Sequence, residues 1–236
     1  MSQSPLHPGR EALLAFTERV QIHGLAPLAG PHSYDAELAR RYRPSAVLAL
    51  FTPTDRRSRV THAVHDSVDL YLVQRSPRLR HHPGQISLPG GTVEPAESEL
   101  EAALRETHEE IGLAPEHIDV LTALDPVLVP VSGFVVTPVL GWTDHPEAIA
   151  QVTPGEVLHT LRVRVADLLD PANRATVTIA GHRSVGFHLP SGWVWGFTGN
   201  LIDHLFTELG WTRPWNAERT HPMSMAEARG DHLGQQ

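Results

Sequence analysis

Short runs of apolar residues predict buried β-strands along the chain. Residues 45–51 form a continuous run after Pro44 that is apolar after its first residue, Ser45. Such a run is typical of a strand covered on both faces, with a helical segment as the alternative. Pro130 and Pro138 fall within two later runs, and because proline cannot donate to a sheet they predict edge strands or bulges. The predicted strands are residues 45–51, 69–75, 127–131, 135–142, 156–163, 176–179 and 185–189, the last two as a hairpin around Gly181.

A different spacing, with apolar residues three and four positions apart, predicts amphipathic helices. It occurs in residues 11–20, which Gly24 ends, and in residues 201–209, which Gly210 ends. Residues 165–169 predict a shorter helix. Strands mixed with a small number of helices favour the α/β class, as a sandwich in which a mixed sheet lies between helices.

A central helix carries clear boundary signals. Ser98 followed by Glu101 forms a capping box, so the helix is predicted to begin near Glu99, and Gly112 supplies the left-handed residue that ends it. At about 100° per residue, one stripe of this helix is predicted to pack on the core. The stripe consists of Leu100, Ala103, Leu104, Thr107 and Ile111.

Three carboxylates stand beside that stripe. Glu106, Glu109 and Glu110 are related by steps of three and four residues and share a helix face, where they repel one another. A divalent cation would offset this repulsion, and oxygen ligands suit Mg²⁺ or Mn²⁺. Gly90 and Gly91 let the backbone turn sharply and bring a carbonyl close to a metal or a phosphate. The alternative is an ordinary solvated acidic face.

A basic segment precedes the glycine turn. Its cationic residues are Arg75, Arg78, Arg80, His81 and His82. Beside a metal-carboxylate site, such residues could bind the phosphate oxygens of a substrate through charge-assisted hydrogen bonds. The alternative is a solvated loop that only offsets the nearby glutamates.

The composition indicates one globular domain with extensions at both ends. The chain has 236 residues, of which 41% are hydrophobic, and no long apolar run. We expect an N-terminal helix and linker in residues 1–42, the main domain in residues 43–215 and a polar, flexible tail in residues 216–236. Because a polar tail buries little surface, its removal is expected to leave activity intact.

Charge and cysteine content argue against several classes of function. The formal net charge of −8 argues against a general nucleic-acid binder. The chain has no cysteine, which excludes disulfides, thiolate metal sites and a cysteine nucleophile. Residues 1–10 lack the features of a signal peptide, and no segment reaches the roughly 18 apolar residues needed to span a membrane. The expectation is a soluble, cytoplasmic protein with no membrane partner.

The central segment resembles the Nudix box, the signature of hydrolases that split a diphosphate linked to a nucleoside and a further group. Seven residues meet its pattern, G-x5-E-x7-R-E-x-x-E-E-x-G: Gly91, Glu97, Arg105, Glu106, Glu109, Glu110 and Gly112. Thr107 departs from the family, which prefers a larger aliphatic residue there. The resemblance implies a Nudix-type α/β/α sandwich with a mixed sheet between helices.

The same resemblance implies a role for each residue of the box. The catalytic residues and ligands of Mg²⁺ or Mn²⁺ would be Glu106, Glu109 and Glu110, joined at the metal by the Gly90 carbonyl. Glu97 and Arg105 would pair to brace the loop against the helix. Glu106 is the first candidate for the general base, and Glu156 is the alternative.

The basic segment and the glycine turn together resemble the coenzyme A pyrophosphatase branch of the Nudix family. The pattern R-S-x3-R-x3-G-x3-L-P-G-G is met by Arg75, Ser76, Arg80, Gly84 and residues 88–91, with leucine where the branch usually has phenylalanine. Looser matches extend the resemblance over roughly residues 43–211. It implies hydrolysis of coenzyme A to 3′,5′-ADP and 4′-phosphopantetheine, with the acyl thioesters of coenzyme A as further substrates.

Two other functions fit the same residues. The box specifies only diphosphate chemistry, so another nucleoside diphosphate derivative or a nucleoside triphosphate is an alternative substrate. A non-catalytic nucleotide-sensing module is the third hypothesis, but such modules often lose box acids and all four are present here. The expected partner is a small molecule and not a nucleic acid. The sequence leaves the oligomeric state open, a homodimer included.

Overall fold

The computed structural model describes residues 5–54, 63–79, 81–149 and 155–231. Arg80 of the basic segment and residues 232–236 of the expected tail lie outside these ranges. The α-helices are α1 (Pro8–His23), α2 (Ala36–Ala39), α3 (Glu99–Ile111), α4 (Val165–Leu169), α5 (Gly196–Glu208) and α6 (Met225–Ala228). The strands are β1 (Arg43–Pro53), β2 (Val68–Arg75), β3 (Ile86–Ser87), β4 (Gly90–Thr92), β5 (Asp119–Ala123), β6 (Val127–Val129), β7 (Phe134–Trp142), β8 (Val157–Arg164), β9 (Arg174–Ile179), β10 (His182–Leu189), β11 (Gly192–Val194) and β12 (Thr220–Pro222). Among the described helices, none is both long enough and apolar enough to cross a membrane.

The larger sheet is mixed. Its main path runs β3-β2-β1-β7-β5, with β4 paired to β1, β6 to β7 and β8 to β2. β1 and β7 are parallel, and the other strand pairs of this sheet are antiparallel. The predicted α/β class with a mixed sheet is therefore confirmed.

Strand β1 is covered on both faces, which explains its continuous apolar run. Ala46, Leu48 and Leu50 belong to a core cluster that includes residues of α3. Ala49 and Phe51 belong to the opposite cluster, with residues of α1, α4 and α5. The sheet thus lies between α3 on one side and α1, α4 and α5 on the other, as the predicted sandwich requires.

Pro138 lies inside the larger sheet, whereas the sequence predicted an edge or a bulge. Its strand, β7, has β1 on one side and both β5 and β6 on the other. β6 pairs up to Val136 and β5 pairs from Val139, so neither strand pairs with Pro138 itself. The Pro138 carbonyl accepts the Leu124 N–H at 2.8 Å from the segment between these strands. The N–H and C=O of a strand residue point to the same side of the strand. The position where Pro138 lacks an N–H therefore faces the gap between β5 and β6, and no hydrogen bond to β1 is lost.

A second sheet, ordered β11-β10-β9-β12, packs with α5. The sequence predicted only its central hairpin, which turns at Gly181 with φ 81°. Arg174 at the start of β9 is fully buried, with its guanidinium 4.7 Å from the Phe187 ring centroid and 4.4 Å from that of Trp215. The same group donates to the Asp203 carboxylate on α5. This cation therefore fastens the second sheet to the helix.

Residues 216–231 include a strand that joins the second sheet and a helix that packs on it, which differs from the loose tail expected from residue 216. β12 pairs in parallel with β9, and Met223 and Ala228 are buried against Val177. Strand pairing uses backbone groups that polar residues also carry, so a largely polar sequence whose buried apolar residues include Met223 and Ala228 can still dock. Removal of this segment is therefore expected to affect the fold.

Replacing Asp203 tests the buried ion pair of Arg174. Asp203→Ala leaves the guanidinium buried without its anion and should lower the free energy of unfolding by about 3 kcal/mol. Arg174→Met removes the charge itself and should cost less. The control Glu37→Ala breaks an exposed pair with Arg40 and should change the free energy by at most about 0.5 kcal/mol. Urea denaturation measures all three, and equal losses for Asp203→Ala and Glu37→Ala would contradict the fastening role.

Candidate active site

Helix α3 has the boundaries that its sequence predicts. Ser98 Oγ accepts the Glu101 N–H at 3.2 Å, and Glu101 Oε2 accepts the Ser98 N–H at 2.8 Å, which completes the capping box. The helix ends at Gly112, which has φ 72° and donates to the His108 carbonyl. Both ends of the helix are thus fixed by local hydrogen bonds.

The buried stripe of α3 is shorter than predicted. Thr107 and Ile111 are fully buried, but Leu100, in the first turn, is 37% exposed. The Thr107 hydroxyl donates to the Ala103 carbonyl at 2.7 Å. Threonine therefore fits the packed face with its polar group satisfied, although the family prefers an aliphatic residue at this position.

The two glycines ahead of α3 are needed for different contacts. Gly90 has φ 151°, and a Cβ there would lie 2.3 Å from the Ala46 carbonyl oxygen of β1. A Cβ on Gly91 would lie 2.3 Å from Glu106 Oε1. Gly90 therefore allows close approach to the sheet, and Gly91 leaves space for a carboxylate of the acidic face.

Glu110 carries a deeply buried carboxylate, with its side chain only 5% exposed. Its Oε2 accepts the Gly90 N–H at 3.0 Å, and Arg75 Nη1 lies 3.8 Å from Oε1. The pKa of Glu110 is raised to about 8, first by burial and further by the charges of Glu106 and Glu156, against the opposing effect of Gly90 and Arg75. The protein alone offsets the Glu110 charge only in part.

Glu106 and Glu109 differ in their surroundings. The Glu106 side chain is 16% exposed, and burial raises its pKa while Arg105 lowers it. Glu109 is 55% exposed and lies 3.4 Å from Arg105 Nη1. The charge of Glu156 raises the pKa of both Glu106 and Glu110. The charge of Glu109 also raises the pKa of Glu106, so the structure brings the three predicted carboxylates together with Glu156, and Glu109 and Glu156 are the exposed members.

The chemistry of this donor set fits a hard divalent cation. Glu106 and Glu110 are two desolvated carboxylates with incomplete charge compensation, and such oxygen ligands suit Mg²⁺ or Mn²⁺. Within the described ranges, no three acidic or histidine side chains already stand at ligating distance. The Gly90 N–H is bound to Glu110, and the ligand role of the Gly90 carbonyl stays a prediction.

Arg105 links the loop before α3 to the acidic face. Its Nε donates to Glu97 Oε1 at 2.8 Å and its Nη2 donates to Glu97 Oε2 at 3.0 Å. Nη2 also donates to the Thr92 carbonyl at 3.0 Å, and Nη1 to Glu106 Oε1 at 3.0 Å. Glu97 Oε2 in turn accepts the Glu94 N–H at 2.9 Å. This geometry is what a bracing role of Glu97 and Arg105 would require.

The basic loop, residues 75–87, begins beside Glu110 and extends outward. Arg75 is 23% exposed, whereas Arg78, His81 and His82 are exposed. Burial lowers the pKa of His82, and the nearby charges of Arg75 and His81 lower it further, so these three described residues are electrostatically coupled. Arg75 lies at the acidic face, and the exposed residues lie farther along the loop.

Backbone pairing brings Glu156 to the acidic face. The Ser76 N–H donates to the Glu156 carbonyl at 2.7 Å, just before β8 begins. The β2–β8 register shifts between Gln74 and Arg75, so an irregularity of the ladder lies beside the site. Glu156 is exposed, and its proximity to the helix carboxylates depends on this long-range pairing.

The comparison with family models identifies the domain. A NUDIX domain model matches residues 55–179. The chain belongs to the Nudix family. It is 34% identical over 152 residues to a protein of Klebsiella pneumoniae named uncharacterized Nudix hydrolase NudL, a match that covers 60% of this chain and 75% of that protein. A protein of the same name from Citrobacter koseri is 32% identical over 173 residues, covering 69% of this chain and 82% of that protein.

Solved structures of Nudix proteins are also similar to this chain. A MutT/nudix family protein from Enterococcus faecalis aligns with a TM-score of 0.47 and 17% identity, covering 89% of this chain and 76% of that one. With the family model and the named hydrolases, the prediction of a Nudix hydrolase is confirmed.

Two contacts at the site of this Nudix hydrolase are not predicted by its sequence. The Ser45 hydroxyl donates to the Gly91 carbonyl, and the only sequence signal was a polar residue at the start of an apolar run. Gly84 of the basic loop contacts the backbone of Arg229 and Gly230. No local pattern could predict that second contact, because the residues are far apart in the chain.

Replacing Glu97 tests the brace. Arg105 holds the pKa of Glu97 below its ordinary value of 4.5. A lowered folded-state pKa means that the pair stabilises the protein above the unfolded pKa and that this stabilisation is lost as the pH falls through the folded pKa. Glu97→Gln should therefore lower the melting temperature and the activity at pH 7, and at acid pH, below the folded-state pKa of Glu97, its melting temperature should approach that of the parent.

The control for this measurement is Glu99→Gln, an exposed residue in the first turn of α3. It should change the melting temperature little at either pH. If Glu97→Gln lost activity at an unchanged melting temperature, the bracing role would be wrong.

Proposed function

We propose that this Nudix hydrolase cleaves the diphosphate of coenzyme A to 3′,5′-ADP and 4′-phosphopantetheine, with acyl thioesters as further substrates. The observation that carries the proposal is the contact between the basic loop and the acidic face, where Arg75 Nη1 lies 3.8 Å from Glu110 Oε1. A substrate that carries a diphosphate and a further phosphate elsewhere needs both a metal-carboxylate site and cationic donors. The resemblance of the loop and glycine turn to the coenzyme A branch supports this substrate.

The acidic face would hold the cofactor. Glu106, Glu109 and Glu110, with the Gly90 carbonyl, are the proposed ligands of Mg²⁺ or Mn²⁺. When bound, the cation would withdraw charge from the diphosphate and lower the pKa of the attacking water. The raised pKa values of Glu106 and Glu110 support this role, because a nearby cation would favour the charged form of each carboxylate.

Glu106 is the proposed general base. Burial makes its carboxylate more basic than an ordinary glutamate, while the bond from Arg105 Nη1 favours the ionised form that accepts a proton. Glu156 is the alternative, since its charge acts on both Glu106 and Glu110 and its backbone is held by Ser76. Its exposure makes it less desolvated, so Glu106 is preferred.

The basic loop would bind two parts of the substrate. Arg75 Nε is buried and makes no hydrogen bond within the described residues, and a buried donor of this kind is costly unless a ligand or water satisfies it. Its place beside Glu110 fits a contact to the diphosphate. Arg78, His81 and His82, together with Arg80, which lies outside the described residues, are proposed to bind the 3′-phosphate.

The function is tested by incubating the purified protein with coenzyme A and Mg²⁺ or Mn²⁺ and identifying the products by mass. Glu106→Gln should lower kcat by roughly 10²–10⁴-fold, the range for loss of a general base, at an unchanged melting temperature. Glu156→Gln should retain kcat within about tenfold of the parent. Hydrolysis of other nucleotides but not coenzyme A would contradict the substrate. If Glu106→Gln kept a near-normal kcat and Glu156→Gln were inactive, Glu156 and not Glu106 would be the general base.

Recognition of the 3′-phosphate is tested by comparing coenzyme A with dephospho-coenzyme A. A charge-assisted hydrogen bond is typically worth about 1.5–3 kcal/mol, so Arg78→Ala should lower kcat/KM for coenzyme A by roughly one to two powers of ten. It should lower kcat/KM for dephospho-coenzyme A much less. Arg183→Ala, an exposed arginine on β10 of the second sheet, is the matched control and should leave both values unchanged. Equal losses on the two substrates would refute 3′-phosphate recognition by Arg78.

A further inference from the structure

The C-terminal segment, residues 219–230, touches the basic loop through its backbone. A Cβ on Gly84 would lie 2.6 Å from the Gly230 Cα and 3.0 Å from the Arg229 carbonyl oxygen. Gly84 also has φ 68°, in the left-handed region that favours glycine. The loop and the end of α6 are therefore in backbone contact, with no space for a side chain between them.

The C-terminal segment is held firmly to the second sheet. The Arg219 carbonyl accepts the Thr176 N–H at 2.8 Å, and the Met223 N–H donates to the Thr178 carbonyl at 2.9 Å. These two bonds flank the parallel pairing of β12 with β9. The buried Met223 side chain packs in a cluster with Val177. The segment is thus anchored by both backbone pairing and apolar burial.

Aromatic and polar side chains strengthen that anchor. The His221 ring stacks on Trp193 with centroids 4.5 Å apart and planes inclined by 23°. Its Nε2 lies 2.9 Å from Glu227 Oε1 on α6. The helix that reaches Gly84 is therefore tied back to β11 through His221.

The second sheet is itself tied to the strands that begin and end the basic loop. Gln74 Nε2 on β2 donates to the Ser191 carbonyl at 3.0 Å, next to β11. β11 also contacts β3, where Ile86 Cδ1 lies 3.9 Å from a Cβ built on Gly192. The second sheet and the C-terminal segment therefore form one support behind the basic loop.

The backbone hydrogen bonds within the turn of the basic loop are long, although His82 Nδ1 lies 3.0 Å from Gln85 Oε1. The Gly84 N–H to Ser76 carbonyl and Gln85 N–H to His82 carbonyl distances are both 3.4 Å, longer than ordinary hydrogen bonds. His82 has φ 52°, which is uncommon for a residue with a side chain. A turn of this kind keeps one conformation only when its surroundings constrain it.

We propose that the C-terminal segment is a positioning element that holds the turn of residues 81–85 and thereby sets the affinity of the enzyme for the phosphate groups of its substrate. This proposal rests on the proposed function, in which the basic loop binds substrate. Ordering the loop before binding removes an entropic cost from the binding step, so KM carries the effect. The carboxylates on α3 are contacted by Gly90, Arg105 and Arg75, which lie outside the turn of residues 81–85, so the effect is expected in KM and not in kcat.

Gly84→Ala disturbs the contact from the side of the loop. It should raise KM for coenzyme A about tenfold, with kcat within about twofold of the parent. The matched control is Gly210→Ala, because Gly210 has nearly the same φ, 70°, and a Cβ there would meet nothing within 4 Å. The control has the same type of backbone strain without the contact, so its KM should stay near that of the parent. An equal rise in KM for both variants, or a fall in kcat at unchanged KM, would overturn the proposal.

Met223→Ala loosens the segment from the opposite side without altering the loop. Amide hydrogen exchange of the full chain without substrate should become faster in residues 81–87 and stay unchanged in α3. If Met223→Ala does not fold, Glu227→Gln weakens the bond to His221 at the surface and serves the same purpose. Unchanged exchange in residues 81–87 of the folded variant would overturn the proposal. If the parent does not hydrolyse coenzyme A, the proposed function fails, and the exchange result still decides whether the segment positions the loop.

Discussion

The burial of the Glu110 carboxylate is the constraint on which the rest of the site depends. A carboxylate in a poorly solvated position is costly to ionise, and here burial contributes most to a pKa of about 8. Its compensating groups come from different parts of the larger sheet: the Gly90 N–H from β4 and the Arg75 guanidinium from β2. The sheet must therefore hold these strands in register with α3 for the acidic face to exist.

Arg105 has the complementary role, as a cation surrounded by oxygen acceptors. It donates hydrogen bonds to Glu97 and the Thr92 carbonyl on either side of the loop that connects β4 to α3, and to Glu106, the carboxylate proposed as base. Gly91 completes the arrangement, because any side chain there would occupy the place of the Glu106 carboxylate. The spacing of the Nudix box thus corresponds to a set of contacts in which each residue limits the position of the next.

The second sheet and the C-terminal segment support the basic loop, which is proposed to bind the substrate. Arg174, buried between two aromatic rings and bonded to Asp203, joins the second sheet to α5. The same sheet carries β12, and through it the backbone that contacts Gly84. A support far from the acidic face in sequence therefore lies directly behind the loop proposed to recognise phosphate.

The sequence by itself determined the features that depend on neighbouring residues. The ends of α3 follow from the Ser98 capping box and the Gly112 conformation, and the hairpin of β9 and β10 follows from Gly181. The burial of β1 on both faces follows from its apolar run. Local periodicity and turn chemistry are sufficient for such features. The family pattern also identified the residues of the acidic face and the pair of Glu97 and Arg105.

Only the tertiary structure decided which distant groups meet. Glu109 lies on the same helix face as Glu106 and Glu110 but is exposed, and Glu156, also exposed, comes to that face from a distant part of the chain through the β2–β8 pairing. The polar C-terminal segment docks because backbone hydrogen bonds to β9 do not depend on apolar side chains. Long-range pairing of this kind leaves no periodic signal in the sequence, since its partners are set by sheet register and the packing of layers.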